Sequence, residues 1–233
     1  MIKIGVPSKG RLMEQTFTWF GARGLTMRRT GNEREYAGAI DGMDGVELVL
    51  LAASEVPREL EAGRIDLGVT GTDLVREELA DWTSVVTEVA LLGFGQADLI
   101  LAVPSVWVDV DTLDDLDAAA TAFRAAHGFR LRIATKYHRL VREFLTENGV
   151  ADYQLVDSLG ATEGAVKNLT AEAIADITSS GETLRANHLK ILSDGVILRS
   201  EAVLWASRGA LRSEENRAAM GRLAGLLGVR SPV

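Results

Sequence analysis

Within residues 176–183, the chain places Asp176, Thr178, Ser179, Ser180, Gly181, Glu182 and Thr183 around a single isoleucine. So many hydroxyls and a glycine make a poor core. They suit a turn that presents consecutive backbone N–H groups to a phosphate, because large side chains there would block the anion. An acid at the end of the preceding strand, Asp176, can accept both hydroxyls of a ribose. Arg185 comes four residues after Gly181. The stretch ADITSSGETLRANHL, residues 175–189, therefore reads as a grip for a phosphate and its sugar, with Thr183 available to cap the next element.

Three other segments carry polar groups where strands give way to helices. In PSKGRL, Lys9 and Arg11 bracket Gly10 just after an apolar run, where a helix dipole is positive. Taken alone, this is as much a solvated loop as an anion site. In DLGVTGTD, Gly68, Thr70, Gly71, Thr72 and Asp73 lie at a strand end and helix start, where ligands gather in open α/β sheets. Taken alone, it reads as an ordinary tight turn. In RIATKYHRLVREF, a strand runs into Lys136, Arg139 and Arg142, the arginines sharing a helix face at i, i+3. That spacing suits a common electrostatic role or a common solvated face. His138 reads as a hydrogen-bonding or surface residue rather than a base.

These segments need a scaffold of alternating strands and helices. Strands are expected over residues 2–6, 46–51, 66–69, 99–103, 131–135, 153–156 and 173–177, with extended chain over 189–192 and 196–205. Helices are expected over 11–22, 56–61, 73–79, up to Gly128, over 137–147, and in a terminal stretch capped by Ser213. The connection ATEGAVKNLTAEA is helical or irregular. Such alternation implies a mostly parallel sheet in each of two lobes.

Bulk properties exclude several functions. The 233 residues carry a net charge of −8, which argues against nucleic-acid binding, since that affinity depends on neutralising phosphates. No apolar run approaches a membrane span, and the N-terminus lacks signal-peptide features, so a cytoplasmic location is expected. With no cysteine and three histidines, disulfides, thiolate catalysis and Cys- or His-built metal sites are not expected.

Taken in order, SKGRL, EAGRIDLGVTGTDLV, GFGQADLILAVP, RIATKYHRLVREF, GATEGAV and ADITSSGETLRANHL resemble the catalytic subunit of the ATP phosphoribosyltransferase family, which opens histidine biosynthesis. The resemblance implies an α/β, two-lobed fold like type II periplasmic binding proteins, with the active site in the cleft between lobes. Lobe I would span residues 1–95, lobe II residues 96–187, and 188–233 would return to lobe I and end in a helix. The implied reaction transfers the phosphoribosyl group of phosphoribosyl pyrophosphate to N1 of ATP, releasing pyrophosphate, with Mg²⁺ held mainly by the substrates. By resemblance, Thr178, Ser179, Ser180, Gly181, Glu182 and Thr183 hold the 5′-phosphate and Asp176 the ribose, with Glu163 matching a family glutamate nearby. Lys9, Gly10 and Arg11 would face the nucleotide or pyrophosphate. Gly71 and Asp73 would line the adenine side, and Arg34 matches a family arginine near the leaving group. The adenine N1 lone pair is free at neutral pH, so the reaction needs positioning and charge neutralisation rather than a strong base.

The sequence departs from the family pattern at three places. Ala52 stands where an arginine is usual, so a pyrophosphate cation is missing from its ordinary place; Arg58 and Arg28 are candidates to replace it. The phosphate turn reads SSG for the usual STG, and His138 stands where proline is common. A chain of this length resembles the short form, which implies a hetero-oligomer with a histidyl-tRNA-synthetase-like regulatory subunit, feedback inhibition through that partner, and a homodimer when alone. Two rivals are a small-ligand binding module of the same fold and a non-catalytic regulatory paralogue.

Overall fold

Short apolar runs bounded by glycine or polar turns become strands, and the stretches with apolar residues every three or four positions become helices laid over them. The computed structural model describes residues 1–30, 38–158, 160–210 and 214–232. The chain forms two compact units, residues 1–96 with 201–233, and residues 97–200.

The first unit contains β1 (Ile2–Pro7), α1 (Gly10–Gly21), β2 (Thr26–Arg29), β3 (Gly38–Asp41), β4 (Val46–Leu51), α2 (Val56–Glu61), β5 (Leu67–Gly71), α3 (Thr72–Glu78), α4 (Trp82–Val85) and β6 (Val86–Leu91). The second contains β7 (Ala97–Pro104), α5 (Leu113–His127), β8 (Leu131–Thr135), α6 (His138–Glu147), β9 (Tyr153–Asp157), α7 (Gly164–Lys167), β10 (Ala173–Thr178), α8 (Glu182–Ala186) and β11 (Leu189–Ser200). The chain then returns to the first unit with β12 (Ala202–Ser207) and α9 (Glu214–Leu227). The return falls at Glu201 rather than at 188, because β11 pairs along its length with β7.

The first unit's main sheet has the order β4-β1-β5-β12-β6, and the second unit's sheet the order β11-β7-β10-β8-β9. Both are mixed, but each has a single reversed strand among its five, so four of the five run the same way, as the expectation of mostly parallel sheets has it. β4, β1 and β5 are parallel, as are β10, β8 and β9, while β12 and β7 run against both of their neighbours. The reason lies in the connections. Parallel neighbours need a crossover, here supplied by helices. β12 and β7 each enter from the other unit, β12 one residue after β11 and β7 a short linker after β6, so neither is joined to a neighbour in its own sheet by such a crossover.

In the first unit, alternation along β12 divides the core. Leu204 joins Ile2, Ile4, Val6, Leu67 and Val69 on the face covered by Phe20, Met220, Leu223 and Leu227. Val203 and Trp205 face Val56, Leu60 and Val75 on the other side. The buried Trp205 donates its ring N–H to the carbonyl of Thr70 (3.3 Å) and meets Trp82 edge to face. In the second unit, Ile174 packs with Ala134, Leu184 of α8, and Ala165 and Val166 at α7. That cluster anchors the two short helices next to the end of β10.

Local chemistry sets both ends of α5, of which the expected closure at Gly128 is one. The Thr112 hydroxyl accepts from the Asp115 N–H (3.2 Å) and the Asp115 carboxylate accepts from the Thr112 N–H (2.9 Å), forming a capping box that starts α5. Gly128, at φ 78°, ends that helix. The expected Ser213 cap lies outside the described residues.

Candidate functional site

In the second unit, β8, β9 and β10 are parallel, and their C-terminal ends share one edge: Thr135 pairs with Asp157 on one side and Ala175 on the other. Asp176 lies in β10, and the turn 179–181 comes directly after that strand. The Asp176 carboxylate accepts from the Ile177 N–H through Oδ1 (2.8 Å). The Thr178 hydroxyl accepts from the Gly181 N–H (3.0 Å), and the Ser180 hydroxyl accepts from the Glu182 N–H (3.3 Å). These bonds draw the turn tight. Among the described residues, the Ser179 and Ser180 N–H groups take no hydrogen bond, and both residues are exposed. Gly181 has φ 69°, in the left-handed region, and is the N-cap of α8. Thr183 is therefore inside that helix, not at its cap as expected, because the left-handed glycine starts the helix two residues earlier. A Cβ at Gly181 would lie 3.1 Å from Nη1 of Arg185, so the guanidinium folds back over the turn.

The loop after β9 is tied to the turn after β8. Lys136 Nζ donates to the Gly160 carbonyl (2.9 Å), His138 Nε2 meets Asp157 Oδ1 (2.7 Å), and the Ser158 N–H donates to the Thr135 carbonyl (3.2 Å). The Ser158 and buried Thr162 hydroxyls bond each other (2.8 Å), which places Glu163 as the half-buried N-cap of α7. His138 is thus the hydrogen-bonding residue expected. Arg139 and Arg142 do not share a role, since Arg139 pairs with Glu143 (2.7 Å) and Arg142 lines a separate hollow.

In the first unit, β1, β4 and β5 also end at one edge, with Pro7 opposite Leu51. There, Pro7, Ser8, Lys9, Leu51, Ala52 and Leu74 contribute to a cavity of about 410 Å³. Lys9 is extended at the N-cap of α1, and Gly10 turns into the helix at φ 74° with open space where a Cβ would be. The helix start carries no side-chain cap and no acid in its first turn. Its free N–H groups and dipole therefore favour an anion, with Lys9 and Arg11 exposed beside them. Gly71 is the N-cap of α3 and Asp73 is buried in its first turn, one residue before the cavity-lining Leu74. Arg34 lies outside the described residues.

The two candidates to replace the cation absent at Ala52 are each paired with an acid. Arg58 is paired with Glu78 (2.6 Å) and Arg28 with Asp41 (3.3 Å). The Ala52 N–H donates to the Glu55 carboxylate (2.8 Å). The cation found at the loop is Arg29, whose Nη1 donates to the Ser8 carbonyl (3.1 Å). Arg29 is a candidate residue that the sequence did not single out, whereas Lys136 was singled out there without a specific role. Lys136 lies in the RIATKYHRLVREF motif. Arg29 had no local signal, since its approach to Ser8 depends on the β2–β3 hairpin. Among the described residues, no group of three or more His, Asp or Glu is arranged to hold a metal ion.

The family model for ATP phosphoribosyltransferase, HisG, matches residues 52–227. This chain belongs to that family. An ATP phosphoribosyltransferase of Cereibacter sphaeroides is 80% identical over 213 residues, covering 91% of this chain and 90% of the relative. The fold is similar to that of the ATP phosphoribosyl transferase (HisG:HisZ) complex from Thermotoga maritima, at TM-score 0.71 and 20% identity, over 98% of this chain and 99% of that one. A periplasmic sulfonate-binding protein, SsuA from Methylobacillus flagellatus, aligns at TM-score 0.57 and 16% identity over 97% of this chain and 67% of its own. The expected periplasmic-binding-protein-like α/β fold is thus present, and the chain is an ATP phosphoribosyltransferase by family.

Proposed function

We propose that this chain transfers the phosphoribosyl group of phosphoribosyl pyrophosphate to N1 of ATP, the first step of histidine biosynthesis, using groups at the strand ends of each unit. The observation that carries the reading is the turn after β10, where Gly181 turns left-handed and Asp176 stands at the strand end. The Ser179 and Ser180 N–H groups receive the 5′-phosphate, with Thr178, Glu182 and Thr183 shaping the turn. The Oδ2 of Asp176 is left for the ribose hydroxyls. Lys136 positions the loop that leads to Glu163. In the first unit, the start of α1, with Lys9, Gly10 and Arg11, receives nucleotide or pyrophosphate oxygens, and Gly71 and Asp73 border the adenine. Arg34 is assigned to the leaving group on resemblance alone.

No covalent nucleophile is needed. ATP N1 supplies the lone pair, the bond from the anomeric carbon to the pyrophosphate oxygen breaks, and fixed cations and helix N–H groups offset the charge on the departing oxygens. Mg²⁺ suits this donor set. Asp176 offers a hard oxygen beside the substrate's own hydroxyls and phosphates, and the ion would neutralise the leaving group. Arg29, holding the Ser8 carbonyl, partly offsets the cation absent at Ala52.

The chain is assigned to the cytoplasm, as a homodimer alone and a hetero-oligomer with a synthetase-like regulatory subunit. The Thermotoga maritima complex supports such a partner, and no described helix is long and apolar enough to cross a membrane. The test is turnover of ATP and phosphoribosyl pyrophosphate with Mg²⁺ and pyrophosphatase, monitored as product absorbance, alone and with the partner. Product in either arm, lost in Asp176→Asn with the fold intact, supports the reading. Ligand binding without product in both arms would favour a binding module.

A further inference from the structure

A second cluster of cations lies in the second unit, away from the strand ends just described. Arg130, Arg142, Thr146, Val150, Ala151, Tyr153, Gln154 and Leu155 line a hollow of about 460 Å³. No carboxylate is among them. Of the acids near these residues, Asp152 is paired with Arg124, Glu143 with Arg139 and Glu172 with the neighbouring Arg132, while the exposed Glu147 is not part of the lining. Among the described residues, Arg130 and Arg142 themselves take no acid or carbonyl partner. Two uncompensated guanidinium groups in one hollow run against a net charge of −8, and a forked guanidinium matches phosphate oxygens in pairs.

We propose that this hollow binds a phosphate-bearing small molecule at a site separate from the reaction centre. Arg130 and Arg142 seat the phosphate, the Thr146 and Tyr153 hydroxyls and the Gln154 amide add neutral donors, and Val150 and Leu155 form an apolar wall for an organic portion. The volume lies within the range of small-molecule sites, roughly 300–1,000 Å³. The location makes it distinct. Arg130 immediately precedes β8 and Tyr153 begins β9, whereas Lys136 and Asp157 stand at their far ends. Five residues of strand separate the two ends by about 13 Å. The inference is independent of which reaction the strand-end site performs.

The experiment titrates the full chain with orthophosphate and, separately, adenosine monophosphate, at constant ionic strength, and monitors the backbone amide resonances of Thr146, Tyr153 and Gln154. Saturable shifts are expected in the wild type and in Asp176→Asn. They should weaken at least tenfold in Arg130→Ser/Arg142→Ser, whose exposed side chains leave folding unaffected. Equal affinity for both probes would identify a seat for the phosphate alone, and tighter adenosine monophosphate binding would add the nucleoside as a contact. No saturable shift overturns the proposal, as does an equal response to potassium chloride or unchanged affinity in the double variant.

Discussion

Replacing Gly181 by alanine separates backbone strain from ligand contact. Gly181 has φ 69°, and an L-residue forced there costs roughly 1–2 kcal/mol. The new Cβ would also meet Arg185 Nη1 at 3.1 Å, a flexible group that gives way by a few tenths of an ångström. The matched control is Gly128→Ala, at φ 78°, with nothing within 4 Å of the Cβ and a position at the end of α5. Both variants should lose about 2–8 °C in melting temperature, from that strain at about 2–4 °C per kcal/mol for a chain of this size. Only Gly181→Ala should impair the phosphate turn. Loss of one well-formed N–H bond to a charged phosphate, about 1.5–3 kcal/mol, raises KM for phosphoribosyl pyrophosphate by about ten- to a hundredfold. Steady-state kinetics with saturating ATP, beside thermal melts of the three proteins, measures both effects. If KM in Gly181→Ala rises no more than in Gly128→Ala while both lose similar stability, the turn does not hold the phosphate.

Lys136→Met removes the bond to the Gly160 carbonyl. KM for phosphoribosyl pyrophosphate should rise up to about tenfold with kcat less affected, and Lys136→Arg should recover part of the loss. Arg29→Ala frees the Ser8 carbonyl and should lower kcat/KM for ATP by as much as tenfold, with melting temperature nearly unchanged; an unaltered kcat/KM would remove Arg29 from the site. Burial tends to raise the Glu172 carboxyl, but hydrogen bonds and charge from Arg132 outweigh it and hold the group below its ordinary value of 4.5. Its stabilisation is therefore complete above that value and is lost as pH falls through the lower folded value. Glu172→Gln should cost about 1–3 kcal/mol at pH 7 and flatten acid sensitivity below about pH 4.5 in pH-dependent denaturation, whereas an unchanged acid limb would mean the pair is irrelevant.

Strong local patterns announced their elements. Val46–Leu51, Val56–Glu61 and Leu131–Thr135 form over the residues that their apolar runs and flanking turns delimit. Elements whose stability comes from distant partners did not. Thr26–Arg29 carries two charges in four residues and is a strand only because Gly38–Asp41 pairs with it. Val86–Leu91 exposes Leu91 and Glu88 at a sheet edge, so its pattern lacks clean alternation. Residues 189–192 and 196–205 read as two extended segments, yet a register shift lets one strand pass through SDG, and the break falls at Glu201, where the chain changes unit. The candidate phosphate turn could be read because its polar residues are contiguous. Arg29 was not, since only the hairpin brings it to Ser8.

The return of the chain at Glu201 imposes an order on synthesis. Residues 97–200 form a contiguous unit whose whole sheet can assemble once Ser200 has left the ribosome. The other unit cannot finish first, although its N-terminal residues emerge earlier, because β12 fills the place between β5 and β6. Until it does, those two strands have exposed flanks in a nascent chain. At about 5–20 residues per second, that wait lasts on the order of ten seconds. The surface left open meanwhile includes the partners of Leu204 and Trp205, so this gap is where a chaperone would find the unfinished protein.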